Sequence, residues 1–208
     1  MTLLVFGASG RTGRQLVRQA LERGHNVRAF ARTPGKVGLE HERLELSQGD
    51  VQDAAAVDRA VAGVDAVLSV LGPTENKPGA PITRGTSNIV TAMKRHAVRR
   101  LLITAGAGVG DPLDRPRVPD RLINRALKLL AKHVYEDMLG AVEVVRSSDL
   151  EWTVVRVPRL TDGPTGKVRV GYLGGDVGTA VTRSAVTAFI LDELEAGAWL
   201  RAAPVISG

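Results

Sequence analysis

Apolar residues along this chain follow two spacings, the continuous or every-other pattern of β-strands and the three-to-four-residue pattern of amphipathic helices. The strand pattern occurs at residues 3–6, 26–31, 43–48, 65–70, 101–104 and 152–157. The helix pattern occurs at residues 16–21, 54–62, 82–96, 121–146 and 180–195. We expect the fourth of these helices to break near Gly140. After the last helix, we expect an edge strand at residues 199–202.

Strands and helices therefore alternate over the whole chain, which predicts a parallel sheet with helices on both faces. The run at residues 65–70 is apolar at nearly every position, as in a strand that is buried on both sides. With 208 residues, the chain is long enough for one domain with a full core. The predicted fold class is α/β, a Rossmann-like doubly wound parallel sheet in a single domain over residues 1–208.

In such a sheet, ligands bind beyond the carboxyl ends of the strands. Functional residues are therefore expected in the segments that follow the strands, at 7–13, 31–36, 49–51, 70–73, 104–108 and 157–162. Two loops rich in Gly and Pro, at 72–81 and 106–119, are long enough to form a substrate lid.

The first of these segments carries three glycines, Gly7, Gly10 and Gly13, between a strand and a helix. This arrangement is typical of a turn that holds the pyrophosphate of a dinucleotide. Gly7 would allow the tight turn, Gly10 the close approach of the backbone to phosphate, and Gly13 the contact between helix and strand. The alternative is a glycine turn without a ligand. The residues expected at the cofactor here are Gly7, Ser9, Gly10, Arg11, Thr12 and Gly13.

The end of the second strand indicates which nicotinamide cofactor would bind. An acidic residue there would bond the ribose 2′-hydroxyl of NAD, but the first charged residue is Arg32. An arginine can pair with a 2′-phosphate through two hydrogen bonds, and Lys36 and Arg11 would add positive charge. We therefore predict NADP(H) over NAD(H). Alternatively, Arg32 stacks on the adenine or faces solvent.

Asp50 follows the third strand, at the place where an acceptor would meet the adenine amino group. A helix N-cap is the alternative role for Asp50, although Asp53 is better placed as the cap of the helix that follows. Other expected cofactor contacts lie at the ends of later strands or beside Asp50. They are Val51, Leu71, Gly72, Thr104, Ala105 and Pro158.

The formal charge of +6 and the isoelectric point near 10.2 raise the question of nucleic-acid binding. The basic residues are scattered without a dense block, and aromatic residues for base stacking make up only 3% of the chain. We therefore expect no nucleic-acid partner. The excess charge is interpreted as a solvated surface, part of which serves an anionic cofactor or substrate.

The chain contains no cysteine, which excludes disulfides and thiolate metal sites. The four histidines, at positions 25, 41, 96 and 133, lack the spacing to acidic partners that a metal site needs, so no metal is expected. Neither a signal peptide nor an apolar span of membrane length is recognised. A cytoplasmic protein without a membrane partner is expected, as a monomer or a homodimer.

Taken together, these motifs resemble the atypical short-chain dehydrogenases/reductases, and within that group the small biliverdin-IXβ reductase/flavin reductase type. The chain also resembles NAD(P)H-binding proteins related to the nitrogen-metabolite repressor. The resemblance is carried by residues 6–13, 49–51, 57–63, 65–67, 71–72, 88–94 and 152–158. It implies NADPH at the strand ends, with a planar aromatic acceptor such as a flavin or a tetrapyrrole stacked over the nicotinamide.

The catalytic residues of the family match this sequence less closely. Where the flavin reductase-like proteins have a serine at the end of the fifth strand, this chain has Thr104, and where they have histidine after the sixth-strand proline, it has Arg159. In the wider superfamily a tyrosine is followed four residues later by a lysine, but Tyr135 is followed by Leu139. Ordinary alcohol dehydrogenation is therefore not expected, because the lysine makes that tyrosine an effective base.

Reduction of a flavin tolerates these changes, because water can complete protonation and the protein supplies mainly binding and orientation. Thr104, Tyr135 and Arg159 are the candidate catalytic residues, with His133 as a further candidate acid. Arg159 and Arg156 would attract a phosphate or propionate of the acceptor. Each has a structural alternative: a hydrogen bond at the strand end for Thr104, surface packing for Tyr135 and solvent exposure for Arg159.

The first functional hypothesis is an NADPH-dependent reductase of a flavin or a similar flat conjugated acceptor. The second is a protein that senses NADP(H) and regulates a partner without turnover, motivated by the missing family residues. A sugar-nucleotide epimerase ranks last, because little chain follows residue 157 to form a nucleotide-sugar site.

Overall fold

The computed structural model describes residues 1–73, 76–116 and 130–208. Its strands are β1 Thr2–Phe6, β2 Asn26–Ala31, β3 Leu44–Gln48, β4 Ala66–Ser69, β5 Arg100–Gly106, β6 Glu151–Val157, β7 Arg159–Thr161, β8 Arg169–Gly171, β9 Ala180–Thr182 and β10 Val205–Ser207. Its helices are α1 Arg11–Glu22, α2 Ala54–Val61, α3 Pro81–Arg95, α4 Lys132–Arg146 and α5 Arg183–Ala196, with a 3-10 helix at Pro34–Val37.

Eight strands form one sheet in the order β3-β2-β1-β4-β5-β6-β10-β8. Neighbouring strands from β3 to β10 are parallel, and β8 runs antiparallel to β10 at the edge. Strands β7 and β9 pair as a separate two-stranded sheet. The order of connection reverses between β1 and β4, so a crevice is expected there at the carboxyl ends of the strands. The predicted Rossmann-like α/β fold is confirmed.

The central strand β1 is apolar on both sides, because a layer of helices covers each face of the sheet. Leu4 and Phe6 face the core formed with α2, α3 and α4, whereas Leu3 and Val5 face the core formed with α1 and α5. All four side chains are fully buried. The near-continuous apolar run predicted for β4 has the same cause. Within the described ranges, no helix is long and apolar enough to cross a membrane.

The predicted break at Gly140 is wrong, since α4 continues through it to Arg146. A Cβ atom at Gly140 would lie 2.6 Å from Oγ1 of Thr83 on α3. The glycine is therefore explained by the close approach of the two helices. The earlier part of the predicted helix, residues 121–129, falls outside the described residues.

The C-terminal part of the chain differs from the prediction in two places. Residues 180–182 form β9, and the last helix begins only at Arg183, because the Thr182 hydroxyl caps it by accepting a hydrogen bond from the Ala185 N–H. The edge strand predicted at 199–202 is wrong for residues 199–201, and only Ala202 pairs with β6, as a single parallel bridge to Thr153. Arg201 has a φ of +53°, which interrupts extended backbone, and the strand forms instead at Val205–Ser207, between β6 and β8.

Candidate functional site

The turn between β1 and α1 requires glycine at two positions. Gly7 has a φ of +79°, and a Cβ atom there would lie 2.8 Å from the Val70 carbonyl oxygen. At Gly13 a Cβ atom would lie 2.1 Å from the Gly7 carbonyl oxygen, so this glycine permits the contact between helix and strand. The turn is closed by the Gly10 N–H, which donates to the Gly7 carbonyl at 3.0 Å. The local geometry is therefore the one expected of a dinucleotide turn.

The residues of α1 itself leave the positive potential of its N-terminus unneutralised. Its N-cap residue, Gly10, supplies no side-chain hydrogen bond, and the first turn of the helix contains no acidic residue. The first N–H groups of a helix lack acceptors within the helix, and the helix dipole is positive at this end. An anionic group such as a pyrophosphate fits this position.

A cavity of about 450 Å³ extends from this turn along the ends of β2, β3 and β4. Eight of the predicted cofactor residues line it: Gly7, Ser9, Gly10, Arg32, Asp50, Val51, Leu71 and Gly72. We call it the nucleotide cavity. Gly13 is buried at the helix–strand contact, and neither Arg11 nor Lys36 is among the lining residues. Lys36 is exposed on the 3-10 helix, beyond the cavity wall.

Arg32 stands at the end of β2 with an exposed side chain that lines the nucleotide cavity. Within the described part of the chain its guanidinium forms no ion pair. Its backbone carbonyl accepts a bond from the Gln48 side chain at 3.5 Å. A cation in this place is suited to a 2′-phosphate, because the guanidinium fork matches phosphate oxygens.

The two roles considered for Asp50 can be separated. Asp53 is the cap of α2, since its Oδ1 accepts hydrogen bonds from the N–H groups of Ala55 and Ala56 at 2.9 and 3.1 Å. Asp50 instead accepts a bond from the Gln52 N–H through Oδ1 at 2.9 Å and lines the nucleotide cavity. A carboxylate has about four acceptor positions, so the adenine role remains open to it.

A second cavity of about 340 Å³ adjoins the first and shares Val70, Leu71, Gly72, Pro73 and Val134 with it. We call it the apolar cavity. Among the described residues, most of its wall consists of aliphatic side chains and glycine, and the hydroxyl groups that line it belong to Thr12, Thr104 and Tyr135. Ala105 and Pro158, two predicted cofactor contacts, also line it. A few polar groups in a largely apolar cavity are typical of a site for a small, mainly apolar ligand.

The structure separates the three candidate catalytic residues. Thr104 and Tyr135 both line the apolar cavity, whereas Arg159 is exposed and outside its lining. Since side chains alternate along a strand, the next residue of β7, Leu160, faces the cavity instead. His133 lines the nucleotide cavity and not the apolar one.

The expectation that Arg156 attracts an anionic group of the acceptor is wrong. Its side chain is 0% exposed and makes two hydrogen bonds to the Asp114 carboxylate, from Nη1 to Oδ2 at 2.6 Å and from Nη2 to Oδ1 at 2.8 Å. Burial acts to raise the pKa of the Asp114 carboxyl, but the bonds and charge of Arg156, with the N–H groups of Asp111 and Leu173, hold it below its ordinary value. The arginine is therefore committed to a structural pair.

Sequence reasoning missed Asp137, a buried carboxylate on α4 that lines the nucleotide cavity. Its two oxygens accept hydrogen bonds from the N–H groups of Ile82 and Thr83 at 3.0 and 2.7 Å, so it caps the N-terminus of α3. Asp137 lies more than fifty residues from Ile82 and Thr83 in sequence, so no local sequence motif predicts this cap.

Among the described residues, no three His, Asp or Glu side chains lie close enough together to hold a metal ion.

A dinucleotide fits the residues that are present. The turn demands glycine at positions 7 and 13, whereas at Gly72, between the two cavities, an added Cβ atom would meet nothing within 4 Å. This free space lies where a ligand would pass from one cavity to the other.

A family model described as NAD(P)H-binding matches residues 7–196, from the glycine turn to the last residue of α5. Among curated proteins, cinnamoyl-CoA reductase 1 from Oryza sativa subsp. japonica is 32% identical over 183 residues, which cover 77% of this chain and 53% of that protein. The chain spans about a third to a half of the length of the curated relatives that it matches first.

Two solved structures share the fold over the whole of this chain. A wide-type short-chain dehydrogenase/reductase from Veillonella parvula DSM 2008 in complex with NADP has a TM-score of 0.81, 20% identity and coverage of 100% of this chain and 94% of its own. ChuY, an anaerobillin reductase from Escherichia coli O157:H7, has a TM-score of 0.78, 20% identity and coverage of 100% and 97%. At this identity the likeness concerns the fold.

Proposed function

Because the chain belongs to the NAD(P)H-binding family, we propose that it is an NADPH-dependent reductase that transfers hydride to a flavin or a similar flat conjugated acceptor. The observation that carries the proposal is the shared wall of the two cavities. The nucleotide cavity, which holds the dinucleotide turn, adjoins at Leu71 and Gly72 an apolar cavity lined mostly by aliphatic side chains. Cofactor and acceptor would meet at this wall.

The nicotinamide cofactor supplies the hydride when it is bound. In the balanced reaction, NADPH, the acceptor and one proton give NADP⁺ and the reduced acceptor. The glycine turn and the α1 N-terminus would hold the pyrophosphate, and Arg32 would pair with the 2′-phosphate. The apolar walls would orient the acceptor ring and exclude water around it, so that proximity supplies much of the rate.

Thr104 and Tyr135 are the hydroxyl-bearing side chains that β5 and α4 contribute to the apolar cavity. In the proposed reaction they bind polar edges of the acceptor, and the proton comes from water. ChuY, described as an anaerobillin reductase, shares the fold over almost its whole length, which supports a reductase of this kind.

A second candidate function is a sensor that binds NADP(H) without turnover. It is favoured by Leu139, which stands where the wider superfamily has a lysine beside the catalytic tyrosine. The sensor and the reductase share the cofactor site and differ only in what happens in the apolar cavity.

The test is the steady-state oxidation of NADPH by the purified chain with FMN, riboflavin, quinones and biliverdin as acceptors. The reductase predicts saturable turnover with at least one of them. Tight binding of both NADP⁺ and NADPH with no consumption would favour the sensor. A chain that binds neither cofactor would contradict both functions.

Preference for NADPH is tested separately, by titrating NADPH and NADH against Arg32→Ala. Loss of a charge-assisted phosphate contact is worth about 1.5–3 kcal/mol, so NADPH affinity should fall by roughly tenfold or more while NADH affinity changes little. Arg18→Ala is the matched control, since Arg18 is exposed on the outer face of α1. Equal affinity for the two cofactors in the unaltered protein would refute the preference.

A further inference from the structure

Three charged side chains meet beside the N-terminus of α1, and the cofactor and acceptor sites do not account for all of them. Asp162, which follows β7, contacts two arginines at once. Its Oδ1 lies 2.8 Å from Nη1 of Arg183, and its Oδ2 lies 3.4 Å from Nη1 of Arg11. Arg11 and Arg183 are the first residues of α1 and α5, respectively. The carboxylate therefore bridges the starts of two neighbouring helices.

The two halves of this bridge differ in strength. The Arg183 side chain is only 9% exposed and its contact with Asp162 is short, so this half is a fixed, partly buried pair. The Arg11 side chain is 67% exposed and its contact is long. Exposed pairs of this kind contribute little stability and exchange partners readily. Arg11 is therefore the member that a stronger anion would remove from Asp162.

The position of Arg11 makes a phosphate the natural competitor. The residue begins the helix whose N-terminal N–H groups point to the proposed pyrophosphate site, and an arginine makes two-pronged bonds to phosphate as well as to carboxylate. Asp162 would therefore oppose cofactor binding by holding Arg11.

Asp162 also connects this helix end to the apolar cavity. Leu160, two residues before it on β7, and Val186, three residues after Arg183 on α5, both line that cavity. We infer that Asp162 is an exchangeable counter-ion of Arg11. The cofactor pyrophosphate displaces Asp162 from Arg11, so Asp162 weakens the affinity for the cofactor. Through Asp162, cofactor binding is linked to the wall of the acceptor site that β7 and α5 form. This inference rests on the proposed cofactor.

The experiment is a calorimetric titration of NADP⁺ into four proteins: the unaltered chain, Asp162→Asn, Arg11→Gln and the double variant. Asparagine keeps an oxygen that can accept the Arg183 hydrogen bond but loses the charge. Asp162→Asn should bind NADP⁺ roughly two- to fivefold more tightly, the range expected from releasing an exposed pair. Arg11→Gln should bind more weakly, and adding Asp162→Asn to it should restore little.

Asp176→Asn is the matched control, because Asp176 forms an exposed pair with Arg169 at 3.2 Å, outside the lining of both cavities. It should leave NADP⁺ affinity unchanged. If Asp162→Asn raises NADP⁺ affinity by the same factor in the Arg11→Gln background as in the unaltered chain, the exchange is overturned. Asp162 would then act on the cofactor only through its long-range electric field. No gain at all would overturn the exchange as well. If the unaltered chain does not bind NADP⁺, the proposed function itself fails.

A second measurement leaves Asp162 unaltered. It tests the inference even if Asp162→Asn does not fold because Arg183 has lost its counter-charge. Hydrogen–deuterium exchange is followed over residues 161–166 with and without NADP⁺, in the unaltered chain and in Arg11→Gln. Displacement predicts faster exchange in this segment when NADP⁺ binds to the unaltered chain. In Arg11→Gln the segment should already exchange faster without NADP⁺. An unchanged segment in both comparisons would contradict the inference.

Discussion

Arg156 and Asp114 form a two-pronged ion pair inside the protein, with side chains that are 0% and 7% exposed. The pair does more than neutralise a buried charge. Arg156 also donates to the Val109 carbonyl at 3.0 Å, and Asp114 accepts the Leu173 N–H at 3.0 Å. Val109 lines the apolar cavity. The pair therefore fixes the loop that follows β5 onto β6, and with it one wall of the proposed acceptor site.

Asp114→Asn should destabilise the protein strongly, because it leaves the guanidinium of Arg156 buried without a counter-charge. Breaking a buried pair from one side costs about 3–5 kcal/mol. We also expect the KM for the acceptor to rise more than the Kd for NADP⁺, because Val109 belongs to the apolar cavity and not to the nucleotide cavity. Urea unfolding and steady-state kinetics measure the two effects.

Asp176→Asn serves as the control for Asp114→Asn, since its pair with Arg169 is exposed at the surface. It should change the free energy of unfolding by less than about 1 kcal/mol. Equal effects of the two substitutions on unfolding would show that the buried pair does not hold this loop in place.

The stability of the fold should depend on pH through His25, which is buried between the ends of α1 and α5. Burial lowers the pKa of His25 from its ordinary value of 6.5, the N-terminal amino group and Arg23 lower it further, and Glu195 opposes them. The unfolded chain therefore binds more protons than the folded one. Stability from this residue is complete above pH 6.5 and is lost as the pH falls towards the lower folded pKa.

His25→Gln should accordingly flatten the fall in unfolding free energy below pH 6.5. Urea unfolding across a series of pH values gives the slopes. Parallel curves for His25→Gln and the unaltered chain would show that the histidine does not drive the acid sensitivity.

The order of strands and helices was predictable from sequence because it depends on local patterns. The apolar run of β4 and the glycines at 7, 10 and 13 are signals that neighbouring residues carry by themselves. The structure after Trp199 was not predictable in the same way. Its strand position depends on a left-handed residue at Arg201 and on pairing with β6, which lies some fifty residues earlier.

The nucleotide side of the site was likewise more predictable than the acceptor side. The glycine turn, Arg32 and Asp50 lie at strand ends, and a strand end can be recognised locally. Arg156 misled the sequence interpretation because an arginine inside an apolar strand can equally face solvent. Its partner, Asp114, is 42 residues away in a loop. Long-range pairs of this kind also explain why Asp137 and Arg183 were missed.

Tyr135→Phe tests whether the hydroxyl in the apolar cavity binds the acceptor or donates a proton. A general acid contributes about 10²–10⁴-fold to rate. Since Leu139 replaces the usual lysine and water can protonate a reduced flavin, we expect kcat to fall by less than about tenfold, with a higher acceptor KM. Tyr172→Phe, outside the lining of both cavities, is the control. A loss in kcat of about 100-fold would instead identify Tyr135 as the proton donor.

Gly72→Leu should block the passage between the two cavities without unfolding the protein. Gly72 lines both cavities, and a Cβ atom there would meet nothing within 4 Å, so the added side chain fills free space and not a packed core. NADP⁺ affinity should fall by about tenfold or more, while the midpoint of thermal unfolding stays nearly constant. The matched control is Gly166→Leu, an exposed glycine whose Cβ atom would also meet nothing and which lies outside both linings. Unchanged cofactor affinity in Gly72→Leu would place the dinucleotide elsewhere and refute the shared-wall arrangement on which the proposed hydride transfer depends.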